Sequence, residues 1–132
     1  MQKGFIKTAA ILGSISVALG AFAAHSLKQK ISIDALNIFE TAVRYQFYHV
    51  FALLAAGILF NNFPNKLLRW SGIFFIVGTI LFSGSLYLLT YFKAIEVTKY
   101  TWIGAITPIG GLAFILGWIF LFLGCTKPKE IT

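Results

Sequence analysis

At 132 residues the chain has room for one modest domain, and its composition excludes an ordinary soluble one: 58% of residues are apolar and 11% charged, against roughly 25% charged in soluble domains. Fourteen Phe, five Tyr and three Trp exclude a disordered chain, because that much aromatic surface buries rather than staying solvated. The net charge of +7 would point to nucleic acid in a soluble protein. Here the basic residues stand singly between apolar runs, the pattern of membrane flanks, and no nucleic-acid role is read. Cys125 is the single cysteine, which excludes an intrachain disulfide and a multi-cysteine zinc site.

Four apolar segments approach or exceed the roughly 20 helical residues that cross a hydrocarbon core of about 30 Å. They lie at about 5–24, 42–60, 67–91 and 102–123. Lipid offers backbone groups no partner, so each segment is predicted as an α-helix, and the chain as an all-α, four-helix transmembrane bundle of one domain. In the first segment Lys3, Lys7 and the Ala21-Phe22-Ala23 run also resemble a secretory signal. The apolar stretch exceeds the usual length of a signal's hydrophobic region, and a retained helix is expected.

The connections differ in kind. Ser32 or Asp34 can cap a helix start, Ile33, Leu36 and Phe39 recur every third residue, and Glu40 precedes Arg44 by four. This pattern predicts an amphipathic interfacial stretch over 34–60 that runs into the second helix, with room for a bend. Residues 61–66 form a tight Asn/Pro turn and 92–101 a short polar loop. With four crossings, Lys3, Lys7, Lys66, Arg69, Lys127 and Lys129 share one side, and Lys28, Lys30, Arg44, Lys93 and Lys99 the other. That balance of six to five favours cytoplasmic termini by a single residue in the plasma (inner) membrane of a bacterium.

Small residues mark helix contacts in lipid. The first helix carries Ala9, Gly13, Ser16, Gly20 and Ala24, and the fourth carries Gly110, Ala113, Gly117 and Gly124. These stripes hold the bundle together or serve a homo-oligomer or larger complex. Pro108 either kinks the fourth helix or follows Thr107 acting as its N-cap.

Placed on this topology, His25, Arg44, Tyr45, Gln46, His49, Ser83, Ser85, Tyr87 and Thr107 gather in one half of the bundle, and the other half is almost purely Phe, Ile, Leu and Gly. Burying such groups in lipid is costly, so they should turn inward toward one another or toward a ligand. Two readings stand side by side: a structural hydrogen-bond network, and a pocket for a lipid, an amphiphilic small molecule or a partner helix. Arg44 has its own alternative, snorkelling to the surface beside Glu40. Tyr45, Tyr48, Tyr87 and Tyr91 have theirs, an aromatic belt.

The runs Gly20-Ala21-Phe22-Ala23-Ala24-His25, Tyr45-Gln46-Phe47-Tyr48-His49, Ser83-Gly84-Ser85-Leu86-Tyr87 and Ile106-Thr107-Pro108-Ile109-Gly110-Gly111, followed by Gly117-Trp118, are all present. In this order they resemble the YwdK/YgdD-type family of small bacterial membrane proteins, itself similar to a short mitochondrial transmembrane protein of animals. Ala23 stands where that pattern has glycine. The resemblance covers nearly the whole chain and implies a four-helix plasma-membrane protein, with no established activity and no catalytic residues.

The expected function is therefore a non-catalytic binding or accessory role in the polar half. A small oligomeric transporter or channel is the alternative, although no acid lies within a span. A bis-His haem protein built on His25 and His49 is a further one, with no other metal site expected. Catalysis is not expected, because serines such as Ser83 and Ser85 commonly serve as packing glue in membrane helices, and no acid other than Glu40 could orient the His49 imidazole.

Overall fold

The structure is a computed structural model and describes residues 1–126. Lys127 and Lys129, counted above for the terminal side, lie outside the described residues. Helix α1 covers Lys3–His25, α2 Ile33–Leu59, α3 Lys66–Gly78, α4 Gly84–Ala94 and α5 Ile106–Thr126. A π turn, Thr79–Ser83, joins α3 to α4 in one span, Lys66–Ala94. A 3-10 turn, Thr101–Ala105, leads into α5. Four spans are thus long and apolar enough to cross a membrane.

The second span follows the expected 34–60 stretch closely and has no bend. It is one unbroken helix of 27 residues, about 40 Å at 1.5 Å per residue. That is longer than a hydrocarbon core of about 30 Å requires. Ser32 caps it, its Oγ accepting from the Ala35 amide at 3.2 Å. Ile33 faces outward rather than sharing a buried side with Phe39. The buried seam is Ala35, Phe39, Ala42, Gln46, His49, Leu53 and Ala56. That alternation of four and three residues is the spacing of left-handed helix pairs.

Helix α1 answers with Ala9, Gly13, Ser16, Gly20 and Ala23 on the same alternating spacing. Ala9, Ser16 and Ala23 are buried, whereas Ala24, expected in the stripe, is exposed. Every fourth residue would have drifted off a seam that repeats every three and a half. The pair is antiparallel: Gly13 lies opposite Val50, Gly20 opposite Val43, and the Gln2 amide donates to the Gly57 carbonyl at 2.9 Å.

The third and fourth spans form a second antiparallel pair through exchanged glycines and phenylalanines. Gly78 makes room for Phe114, Gly117 for Phe75 and Gly110 for Phe82. Gly78 and Gly117 are holes that the opposite rings fill, and Gly110 admits the Phe82 backbone, so dispersion contacts replace the hydrophobic transfer that lipid cannot supply. Helix α2 packs on α3, the π turn and α4, but barely meets α5. Thr107 is not the N-cap, since α5 begins at Ile106. The chain changes from 3-10 to α at Ile106, and Pro108 falls in the first α turn, where an amide would lack a partner anyway.

Candidate functional site

Gln46 and His49 both turn inward, at 3% and 5% exposure. The Gln46 Nε2 donates to the Leu12 carbonyl at 3.2 Å, and its Oε1 accepts from the Tyr87 hydroxyl at 2.8 Å. One amide therefore ties α2 to both α1 and α4. Ser83 donates to the Ala42 carbonyl at 2.7 Å, linking the π turn to α2. Ser85 and Thr107 share a hydroxyl bond of 2.7 Å between α4 and α5, and Ser85 also reaches the Phe82 carbonyl at 2.9 Å.

His49 makes a separate cluster. Its Nδ1 lies 2.7 Å from the Tyr45 carbonyl, and the Trp118 indole donates to its Nε2 at 3.2 Å. A carbonyl only accepts and an indole N–H only donates, so the imidazole is neutral with its proton on Nδ1. Its ring stacks on Phe114 with centroids 3.4 Å apart and planes 6° from parallel. Among the described residues no buried side-chain polar atom lacks a hydrogen-bond partner.

The expected polar cluster thus divides into groups. Gln46 with Tyr87, Ser83, and Ser85 with Thr107 are spent on joining helices. Tyr45 and His49 line an open groove of about 780 Å³ between α2 and α5. His25 and Arg44 stand on the outer surface. His25 closes α1, opposite the first turns of α2, roughly 16 Å along the helix axis from the level of His49 at 1.5 Å per residue. The two histidines do not form a common ligand pair, and His49 already uses both ring nitrogens. Among the described residues no group of three or more His, Cys, Asp or Glu could hold a metal.

The supposedly apolar half holds polar links as well. Ser71 donates to the Gly117 carbonyl at 2.8 Å, and Asn65 donates to the Gly124 carbonyl at 2.8 Å while accepting from the Leu68 amide at 3.0 Å. Of the groove's main residues, sequence reasoning missed Phe82, Phe114 and Trp118. The only available signal was the Gly117-Trp118 pair, which set an indole beside a packing glycine. Nothing distinguished two phenylalanines among fourteen.

Helices of this length, closed in pairs by glycine and hydroxyl contacts, define a multi-pass integral membrane protein of the all-α class. The model of the family described as "Protein of unknown function (DUF423)" matches residues 19–111. The chain is 42% identical to the UPF0382 membrane protein SSP2132 of Staphylococcus saprophyticus, over 96% of this chain and 99% of the relative. It is 38% identical to the UPF0382 membrane protein YwdK of Bacillus subtilis, over 96% and 98%. Against the UPF0382 inner membrane protein YgdD of Escherichia coli it is 35% identical, over 92% and 88%. The chain therefore belongs to the UPF0382 (DUF423) family of membrane proteins, as its motifs implied. No solved structure matches it.

Proposed function

We propose that this protein is a non-catalytic accessory protein of the bacterial inner membrane that holds a lipid or similar amphiphile in the groove between α2 and α5. One observation carries the reading: a cavity of about 780 Å³ lies on the outer face of the bundle, lined by Tyr45, His49, Phe82, Leu112 and Trp118 among others. Ligand sites of this size are typically apolar with a few fixed polar groups, and the His49–Trp118 pair with the tyrosines supplies them here. A lateral opening suits a ligand that arrives from the bilayer. The bonding of Ser83 and Ser85 to backbone carbonyls supports a role without catalysis, since neither hydroxyl is left to act as a nucleophile beside His49.

Gly111 lines the same groove, and a Cβ there would meet the Phe82 ring at an ordinary 3.8 Å. Gly111→Leu should therefore fill the groove without disturbing the fold. Extraction and mass spectrometry of the purified protein should find a bound amphiphile in the wild type and little in the variant. Equal content in both, or none in the wild type, overturns the reading. If a second copy fills the groove instead, crosslinking in membranes will show a dimer that Gly111→Leu abolishes. The orientation proposed places the termini in the cytoplasm, on the six-to-five balance of basic residues. A C-terminal green fluorescent protein fusion, which fluoresces only in the cytoplasm, tests it.

A further inference from the structure

A second cavity, of about 460 Å³, lies at the opposite end of the bundle from Ser85 and Thr107, where the turn after α2 enters α3. Its walls come from Phe60 and Pro64 in the turn, and from Lys66, Arg69, Trp70 and Ile73 on α3. Those four recur at helical spacing and share one face, while Leu68, Ser71, Gly72 and Phe75 form the buried one. The face is graded along its length. Two cations stand at the helix start, an indole follows, and an isoleucine lies one turn deeper in the span.

Two sets of contacts hold the cavity in shape. Asn65 is buried and fully bonded, to the Phe63 carbonyl at 3.1 Å, the Gly124 carbonyl and the Leu68 amide. The Arg69 guanidinium sits 6.0 Å from the centre of the Phe60 ring, a distance at which the ring face steadies a cation without neutralising it. Among the described residues, charge at this end is one-sided. Lys3 and Lys7 of α1 share it, because the α1 start packs on the α2 end and Phe5 reaches Gly72. Asp34, Glu40 and Glu96, the acids among the described residues, belong to the other end.

We infer that this cavity binds the headgroup of an anionic phospholipid, with Lys66 and Arg69 on the phosphate and the acyl chain running along Trp70 and Ile73. The gradation from cation to indole to isoleucine matches a lipid entering the bilayer and is more than a free anion needs. Arginine gives the phosphate two parallel donors, and lysine a mobile one. The site is independent of the groove beside His49 and stands whether or not that groove is occupied.

Native mass spectrometry tests it on the full chain, released from detergent micelles holding equal amounts of phosphatidylglycerol and phosphatidylcholine. Each juxtamembrane cation is worth about fivefold in affinity for an anionic surface, so phosphatidylglycerol adducts should dominate by about fivefold or more. Lys66→Gln with Arg69→Gln should bring the ratio close to parity. Lys28→Gln with Lys30→Gln, an equal loss of charge at the other end, should leave it unchanged. Both altered side chains are exposed, and circular dichroism checks that the helices persist. If the double variant loses helix, Arg69→Gln alone carries the comparison. Three results overturn the assignment: no preference in the wild type, the same loss in both double variants, or displacement of the lipid by millimolar inorganic phosphate.

Discussion

Gly110 lies directly against the backbone of Phe82, the point at which the third span widens into its π turn. A Cβ at Gly110 would come within 2.8 Å of the Phe82 Cα, and a backbone atom cannot swing away as a side-chain tip does. Gly110→Ala should therefore destabilise the fold by about 1–3 kcal/mol, the usual cost of overpacking. Gly4→Ala is the control, because nothing lies within 4 Å of its added methyl. That exchange should be neutral or stabilising by up to about 1 kcal/mol from helix propensity alone. Denaturation in mixed micelles measures both, and equal stability for Gly110→Ala would show that the two spans do not meet at this point.

This contact also marks the limit of what the chain makes legible. Gly110, Ala113, Gly117 and Gly124 announce a packing face because small residues in lipid have few other uses, and all four are buried. The rings that fill those holes are not announced, since Phe suits the lipid face and the interior equally well. Depth is likewise poorly encoded. Gln46 and His49 are three residues apart and both buried, yet one links helices and the other borders the groove. The π turn has no residue signature, and with it goes the aim of Phe82, which decides where the groove opens.

The bond from Trp118 to His49 should be worth what hydrogen bonds between membrane helices usually are. Trp118→Phe keeps most of the ring but removes the indole N–H, leaving Nε2 of His49 unpartnered. A loss of about 0.6–1.7 kcal/mol is expected. In a double-mutant cycle with His49→Phe, the second substitution should cost less once the first is made. Additive losses would mean that the 3.2 Å contact contributes nothing.

Glu96 is the only non-glycine residue with a positive φ among those described, at 59° just beyond the end of α4. Left-handed backbone costs a residue with a side chain roughly 1–2 kcal/mol, and glycine is the usual occupant of this position after a helix. Glu96→Gly removes that strain but gives back part of the gain through the looser unfolded chain. A net stabilisation of several tenths to about 1 kcal/mol is expected, read as a higher midpoint of thermal unfolding in detergent. A lower midpoint would mean that the Glu96 side chain contributes more than its backbone strain removes.

Among the described residues, Gln46 is the one side chain whose hydrogen bonds join three helices, and its two contacts respond differently to substitution. Gln46→Leu preserves much of the volume but strands the Tyr87 hydroxyl, whose acceptor was Oε1 at 2.8 Å. The Leu12 carbonyl is spared, because the Ser16 hydroxyl also donates to it at 2.7 Å. The loss should therefore come mainly from one orphaned group, about 1–3 kcal/mol. Adding Tyr87→Phe removes the orphan, so the double variant should be more stable than Gln46→Leu alone. Unfolding of the single and double variants in the same micelles checks the order. If Gln46→Leu/Tyr87→Phe is the less stable of the two, Tyr87 has found another partner, and the link between α2 and α4 rests on packing rather than on the amide.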